Sequence, residues 1–210
     1  MPLQHIDDGV LKLMRRGHIG KTSRELVEKI RAKIPGVTLR TTFIVGHPGE
    51  TEAAFHNLLD FVKEAEFDRV GVFTYSQEEG THSATLGDLV PPKEAERRRR
   101  ELMRAQRSIS RKKMKAMVGR ELEVLVEGPS EESEFLWSGR HAGQAPEIDG
   151  QVYLSLGEGS PAELRAPRGG DLVLARVTGF ADYDLAAQVV RVVEKSRLPK
   201  RPRALPVLRA

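Results

Sequence analysis

The 210 residues, 39% apolar and 30% charged with a formal net charge of +4, suit one large globular domain or two small ones and exclude a disordered chain. No apolar run approaches the roughly 20 residues a membrane helix requires, and the start, Met1-Pro2-Leu3-Gln4-His5, lacks the basic region and greasy stretch of a signal peptide, so the cytoplasm is the expected location. The absence of cysteine excludes disulfides, a thiol nucleophile, a thiolate zinc site and any cysteine-ligated iron–sulfur cluster built from this chain alone.

Asp7 or Asp8 is placed to cap a short helix through Leu11 and Met14. Thr22 and Glu25 form a capping-box pattern that predicts a second helix, with Leu26, Val27, Ile30 and Ile34 on one face and Pro35-Gly36 as its stop. The β-branched run Val37–Val45 predicts a buried strand ending at Gly46. After the loop GHPGE, Thr51 opens a helix with a Phe55, Leu58, Leu59 and Val62 stripe, and Val70–Tyr75 is the next strand. Strand, helix and strand in this order predict a parallel crossover. Two such strands need cover on both faces and neighbours on both edges, so residues 1–85 read as part of a larger barrel or sheet.

The character changes at Pro91-Pro92. A long helix is predicted from Lys93 to about Val118, with Ala95, Leu102, Ile109 and Ala116 at seven-residue spacing and 11 Lys and Arg against 3 Glu on its other faces. A solvated connecting helix is the favoured reading of those cations, ahead of an RNA-binding face. Short alternating strands come next, at Leu122–Val126, Phe135–Gly139, Val152–Leu156, Leu172–Val177 and Ala187–Val193, as expected for a small antiparallel barrel resembling an OB-fold. Trp137 reads as core or rim of that barrel. Lys195–Ala210, rich in Pro and Arg, is expected to be a basic disordered tail.

Charge is segregated along the chain. Residues 1–118 hold 22 basic and 16 acidic side chains (+6), residues 119–194 hold 6 and 14 (−8), and residues 195–210 hold 6 and none (+6). A barrel at −8 repels phosphates and attracts a basic protein.

Four ordered stretches carry a resemblance: MPLQH at 1–5, LRTTFIVGHPGET at 39–51, FDRVGVFTYSQEEGT at 67–81 and APEIDGQVY at 145–153. Together they resemble the methylthiotransferase branch of the radical-SAM superfamily, over residues 1 to about 194. Thr41-Thr42, the run Tyr75 to Thr81 and the run at 145–150 look like the ribosomal-protein type rather than the tRNA-modifying type. His47 departs from the family, which usually has Phe there.

The resemblance implies a fold of α/β followed by all-β. The C-terminal two βα units of a radical-SAM partial TIM-type barrel would occupy 1–90, a connecting helix 91–118, a TRAM domain 119–194 and the basic tail 195–210. It implies S-adenosylmethionine as cofactor, and two iron–sulfur clusters in the full-length family protein whose ligands are absent from this chain. In that reaction a 5′-deoxyadenosyl radical abstracts hydrogen from the β-carbon of an aspartate in a small-subunit ribosomal protein, and a methylthio group is added. Without cluster cysteines the chain alone is expected to be inactive. Because the match begins inside a motif, a truncated reading frame is expected. The implied partner is a basic ribosomal protein, or the ribosome, docked on the acidic TRAM domain.

The motifs fall at ends of barrel strands, where such sites lie. The cofactor-binding residues implied are Gln4, His5, Thr42, Gly46, Pro48, Gly49, Glu50 and Tyr75, with no catalytic residue and no metal ligand. Gly46 and Gly49 would let backbone approach a ligand; they fit a tight strand-to-helix turn equally well, with Glu50 near a helix N-terminus. Arg40, Thr41 and Thr42 are the candidates on the early strand; alternation puts only one side of it toward the lumen, and the sequence leaves open which. The histidines show no ligand-like spacing, so His47, His56 and His141 are read without a metal. Two alternatives stand beside this reading: a tRNA-modifying relative, and a non-catalytic module gripping RNA through its barrel, basic helix and tail.

Overall fold

Asp7 accepts hydrogen bonds from the N–H groups of Gly9 and Val10 and so starts α1 (Asp8–Leu13), as its position predicts. The structure, a computed structural model, describes residues 1–17, 20–157 and 167–196. Helix α2 spans Gly20–Lys33 and begins ahead of Thr22, so the capping box does not form. The Gly20 N–H donates instead to the Asp8 carboxylate at 2.6 Å. Only Val27 of the expected stripe is buried and Ile30 partly so, while Leu26 and Ile34 face solvent at 38% and 53% exposure.

Strand β1 (Arg40–Val45) starts three residues later than the β-branched run suggests, and β2 covers Arg69–Thr74. Between them lies α3 (Glu52–Ala65), opened by Thr51, whose hydroxyl accepts from the Ala54 N–H. The two strands are parallel, with Arg40 opposite Arg69 and Val45 opposite Thr74. Gln4 supplies a third rung on the free edge of β1: its N–H donates to Thr42 O and its carbonyl accepts from Ile44 N–H. Helix α4 (Pro92–Met117) comes after a short 3₁₀ turn at His82–Thr85.

The chain falls into two compact units, Met1–Lys113 and one beginning at Met114. In the first, Phe43 is fully buried and meets Phe61 and Phe67 edge-on at 6.4 and 6.1 Å. Phe55, Leu58 and Val62 of α3 and Leu102 and Ile109 of α4 complete this core. Helix α4 therefore gives these strands the apolar cover that residues 1–85 lack by themselves.

The second unit is a closed five-stranded barrel of β3 (Glu121–Pro129), β4 (Trp137–His141), β5 (Val152–Ser155), β6 (Leu172–Phe180) and β7 (Leu185–Glu194). Its strand order is β3-β4-β5-β7-β6. All pairs are antiparallel except β5 with β7, which run parallel. This is the OB-like Greek-key arrangement. Alternate residues of these strands, such as Val124, Val126, Val173, Ala175 and Val177, fill the interior. Trp137 is partly buried against it, whereas Phe135, expected to open a strand, precedes β4 and is 73% exposed. Residues 197–210, most of the expected disordered tail, lie outside the described residues. Among the described residues no helix is long and apolar enough to cross a membrane.

Candidate functional site

The C-terminal ends of β1 and β2 and the Gln4 rung form one rim. Along β1, Thr41, Phe43 and Val45 are buried, while Arg40, Thr42 and Ile44 are half-buried. The helices α3 and α4 cover the side holding Phe43, so the opposite side, with Thr42 and Ile44, faces a cleft of about 510 Å³. Gln4, Phe73, Tyr75 and Ser83 are among its other lining residues. Thr41 points the other way, its hydroxyl accepting from the Leu3 N–H at 3.3 Å. The question alternation leaves open is thus decided by which side the helices occupy.

Of the eight expected cofactor-binding residues, seven divide into two groups and Gly49 stands apart. Gln4, Thr42 and Tyr75 line the cleft. Gln4 has a positive φ of 69°, uncommon for a residue with a side chain and characteristic of functional sites. The Tyr75 hydroxyl is buried with no hydrogen-bond partner among the described residues, and such a group ordinarily has one. Phe73, which the sequence does not single out, is exposed on the cleft side at 61%.

His5, Gly46, Pro48 and Glu50 are buried behind the rim. The Glu50 carboxylate accepts from the Gly46 N–H and from His5 Nε2 (3.2 Å) and pairs with Arg98 (3.1 Å). His5 Nδ1 accepts from the Asp7 N–H at 3.0 Å, which leaves the ring proton on Nε2 for Glu50. Both ring nitrogens are therefore occupied. Gly46 has φ 77°, and a Cβ there would stand 2.4 Å from the Ala95 Cβ on α4. Gly49 has φ 81° and faces Leu13; it borders a separate cleft of about 570 Å³ with Val10, Lys12 and His82. The clearance at Gly46 is filled by protein.

Arg98 is the residue sequence reasoning passes over. It is buried at 5% exposure, donates to the Glu50 carbonyl, and pairs with Glu52 and Glu94. One signal for it exists in the spacing, since Ala95, Arg98 and Leu102 share a helical face. Arg97 and Arg98 together hold Glu94 well below the usual carboxylate range, at about 2, mainly through hydrogen bonds that offset its desolvation.

His47, the departure from the family pattern, is fixed at both nitrogens. Nδ1 donates to Pro48 O and Nε2 accepts from the Ser83 hydroxyl, each at 2.9 Å, and the ring meets Tyr75 edge-on at 5.1 Å. Burial lowers its pKa below the ordinary histidine value; the Pro48 carbonyl opposes that, and His5 adds to it. The unfolded chain therefore binds the proton at higher pH than the folded one. Stability from this group is complete above pH about 6.5 and is lost as pH falls below that. His47→Phe should flatten the pH dependence of the denaturation midpoint between pH about 7 and 5. An unchanged slope would show that His47 does not set it.

The radical SAM superfamily model matches residues 1–62 and the TRAM domain model residues 118–190. Curated relatives named ribosomal protein uS12 methylthiotransferase RimO match nearly the whole chain. That of Sorangium cellulosum is 54% identical over 94% of this chain and 39% of its own length. That of Anaeromyxobacter sp. strain K is 48% identical over 98% and 43%, and that of Aquifex aeolicus 50% over 90% and 42%. The chain thus spans about two-fifths of the length of these relatives.

Proposed function

Because the chain belongs to the radical-SAM methylthiotransferase family, we propose that its first unit forms part of the wall of an S-adenosylmethionine site and its second docks a basic ribosomal protein. The proposed setting is the cytoplasm, where the ribosome works.

The cofactor fits the cleft residues on one observation. Tyr75 lines the cleft with Gln4 and Thr42, and its buried hydroxyl has a hydrogen bond to give and no group among the described residues to receive it. When bound, S-adenosylmethionine supplies the adenosyl group on which the family's chemistry depends. Gln4, Thr42 and Tyr75 orient it, and Ile44 and Phe73 keep water from its flank. Glu50, His5 and Arg98 act one layer back, holding the 46–50 loop at the rim. The iron–sulfur clusters do not fit this chain. It has no thiolate to offer, and no group of three His, Cys, Asp or Glu among the described residues is placed to hold a metal. By itself the chain is therefore proposed to be inactive in methylthiolation.

The docking reading rests on the 14 acidic against 6 basic side chains of residues 119–194. Glu131, Glu132 and Glu134 stand between β3 and β4, with Glu131, Glu132 and Glu134 all on the solvent side of that loop. Asp184 is half-buried and held in place, its carboxylate accepting from the Gln151 N–H at 2.7 Å. Glu131→Lys, Glu132→Lys and Glu134→Lys together should slow association of the full chain with protein uS12 by about tenfold at low salt. Dissociation should change less, because rim charges act on encounter. Association indifferent to salt and to these changes would remove the docking reading.

A further inference from the structure

The hydrogen bonds of His47 fix the sense in which the Ser83 hydroxyl is used. Pro48 O can only accept, so His47 Nδ1, 2.9 Å from it, carries the hydrogen of the neutral ring. Nε2 is then a bare lone pair, and the Ser83 hydroxyl 2.9 Å away donates to it. Ser83 has one hydroxyl proton, and His47 takes it up. Toward the cleft that it lines, Ser83 therefore has only lone pairs to offer. A phenylalanine at position 47, as the family usually has, would leave that proton free to turn either way.

Thr81, on the same wall, is committed in the same sense. Its hydroxyl donates to Glu78 O at 2.7 Å and accepts from the Ala84 N–H at 3.3 Å. Glu78 is the one charged side chain among the described residues lining the cleft. The turn from 78 to 83 thus presents acceptors and a negative charge, and the hydroxyls of Thr81 and Ser83 have no hydrogen to give. Such a wall discriminates by what it leaves unpaired: an acceptor brought against it finds no donor, and an unmade hydrogen bond costs more than a made one contributes.

We propose that Ser83 is a specificity-determining residue of the cleft and His47 the residue that positions it, together selecting a ligand that brings N–H or O–H donors and positive charge to this wall. The inference rests on the S-adenosylmethionine reading of the cleft. That molecule has both, with an ammonium, ribose hydroxyls and an adenine amino group as donors and a sulfonium besides. Protonation of His47 reverses the arrangement. Nε2 then donates, the Ser83 proton is turned away from it, and a positive charge stands beside Tyr75, whose ring is 5.1 Å from that of His47. The groups facing His47 are His5 and Glu50 behind the rim, His82 of the 3₁₀ turn and Tyr75 of the cleft. Glu50 is already paired with Arg98 and His5. Burial keeps His47 neutral at pH about 7, so the acceptor arrangement is the resting one.

The test titrates S-adenosylmethionine into the full chain by calorimetry between pH about 7.5 and about 5.5, a range that brackets an ordinary histidine. Circular dichroism at each pH checks that the fold is kept. Affinity should fall about three- to tenfold over this range, within the limit of about tenfold per pH unit for one linked proton. His47→Phe should abolish the fall, whereas His82→Gln should keep it. Ser83→Ala should weaken binding about three- to tenfold at the upper pH, as for one lost hydrogen bond, and Ser83→Thr should restore most of it. In the unliganded chain, NMR of the ring nitrogens should show His47 with its hydrogen on Nδ1. Ser83→Ala should move proton uptake by His47 to higher pH, because the neutral ring loses a donor. Binding that ignores Ser83→Ala, a fall that survives His47→Phe, or a hydrogen on Nε2 of the neutral ring overturns this inference alone. No binding at any pH overturns the cofactor reading and the inference with it.

Discussion

Arg98→Met should destabilise the first unit by about 3–5 kcal/mol, the loss typical of breaking a buried ion pair by removing one partner. Arg98 and Glu50 are 6% and 0% exposed at their side chains and 3.1 Å apart. Methionine keeps much of the volume but leaves the Glu50 carboxylate buried with, among the described residues, only His5 and the Gly46 N–H as partners. The same change strips Glu52 of one of its two arginines and frees the Glu50 carbonyl. Glu50→Gln combined with Arg98→Met should recover part of the loss, because the stranded charge is then gone. The molecule's single tryptophan, Trp137, lies in the second unit. Denaturant unfolding followed by far-ultraviolet circular dichroism should shift for the helical first unit. Trp137 fluorescence reports the barrel, to which it belongs. A loss below about 1 kcal/mol would place the pair among those that contribute little.

Gly46→Ala should cost about 2–5 kcal/mol from two separable sources. An L-residue at φ 77° carries a penalty of about 1–2 kcal/mol. The added methyl, 2.4 Å from the Ala95 Cβ, overpacks a helix contact at about 1–3 kcal/mol. Ala95→Gly opens the space but weakens the helix by about 1 kcal/mol. In the double variant the two losses should add to less than their sum, and that coupling measures the clash alone. Gly49→Ala is the comparison. Its φ of 81° imposes similar strain, yet its neighbour at 2.6 Å is the end of the Leu13 side chain, which can rotate aside. It should lose only the conformational part. Equal losses at both sites, with no coupling to Ala95, would show that backbone strain dominates.

Much of the fold is legible from the sequence, and for identifiable reasons. The Thr51 cap, the α3 stripe and the five alternating strands of the barrel are local patterns; each element exists as the sequence implies, with strand ends displaced, most clearly at β4, which starts at Trp137 and not at Phe135. Composition determined that no cysteine-ligated cluster is built from this chain, and counting charges determined that the barrel is acidic. The failures are equally physical. Thr22 and Glu25 satisfy a capping rule, but Asp8, distant in sequence, reaches the Gly20 N–H and starts α2 sooner. Both faces of β1 carry β-branched or apolar residues, so alternation identified two faces without ranking them. Only the packing of α3 and α4 on Phe43 sent Thr42 to the cleft and Thr41 to the interior. Arg97 to Arg100 are chemically identical in the sequence. A rotation of about 100° per residue separates Arg98, buried on Glu50, from Arg100, exposed to solvent. Likewise the glycines of the loop read equally as access for a ligand or as a tight turn, and only the fold shows the Ala95 methyl standing where a side chain at Gly46 would be. Residue types and their periods are written in the chain; which of two equivalent faces is buried depends on neighbours that only folding supplies.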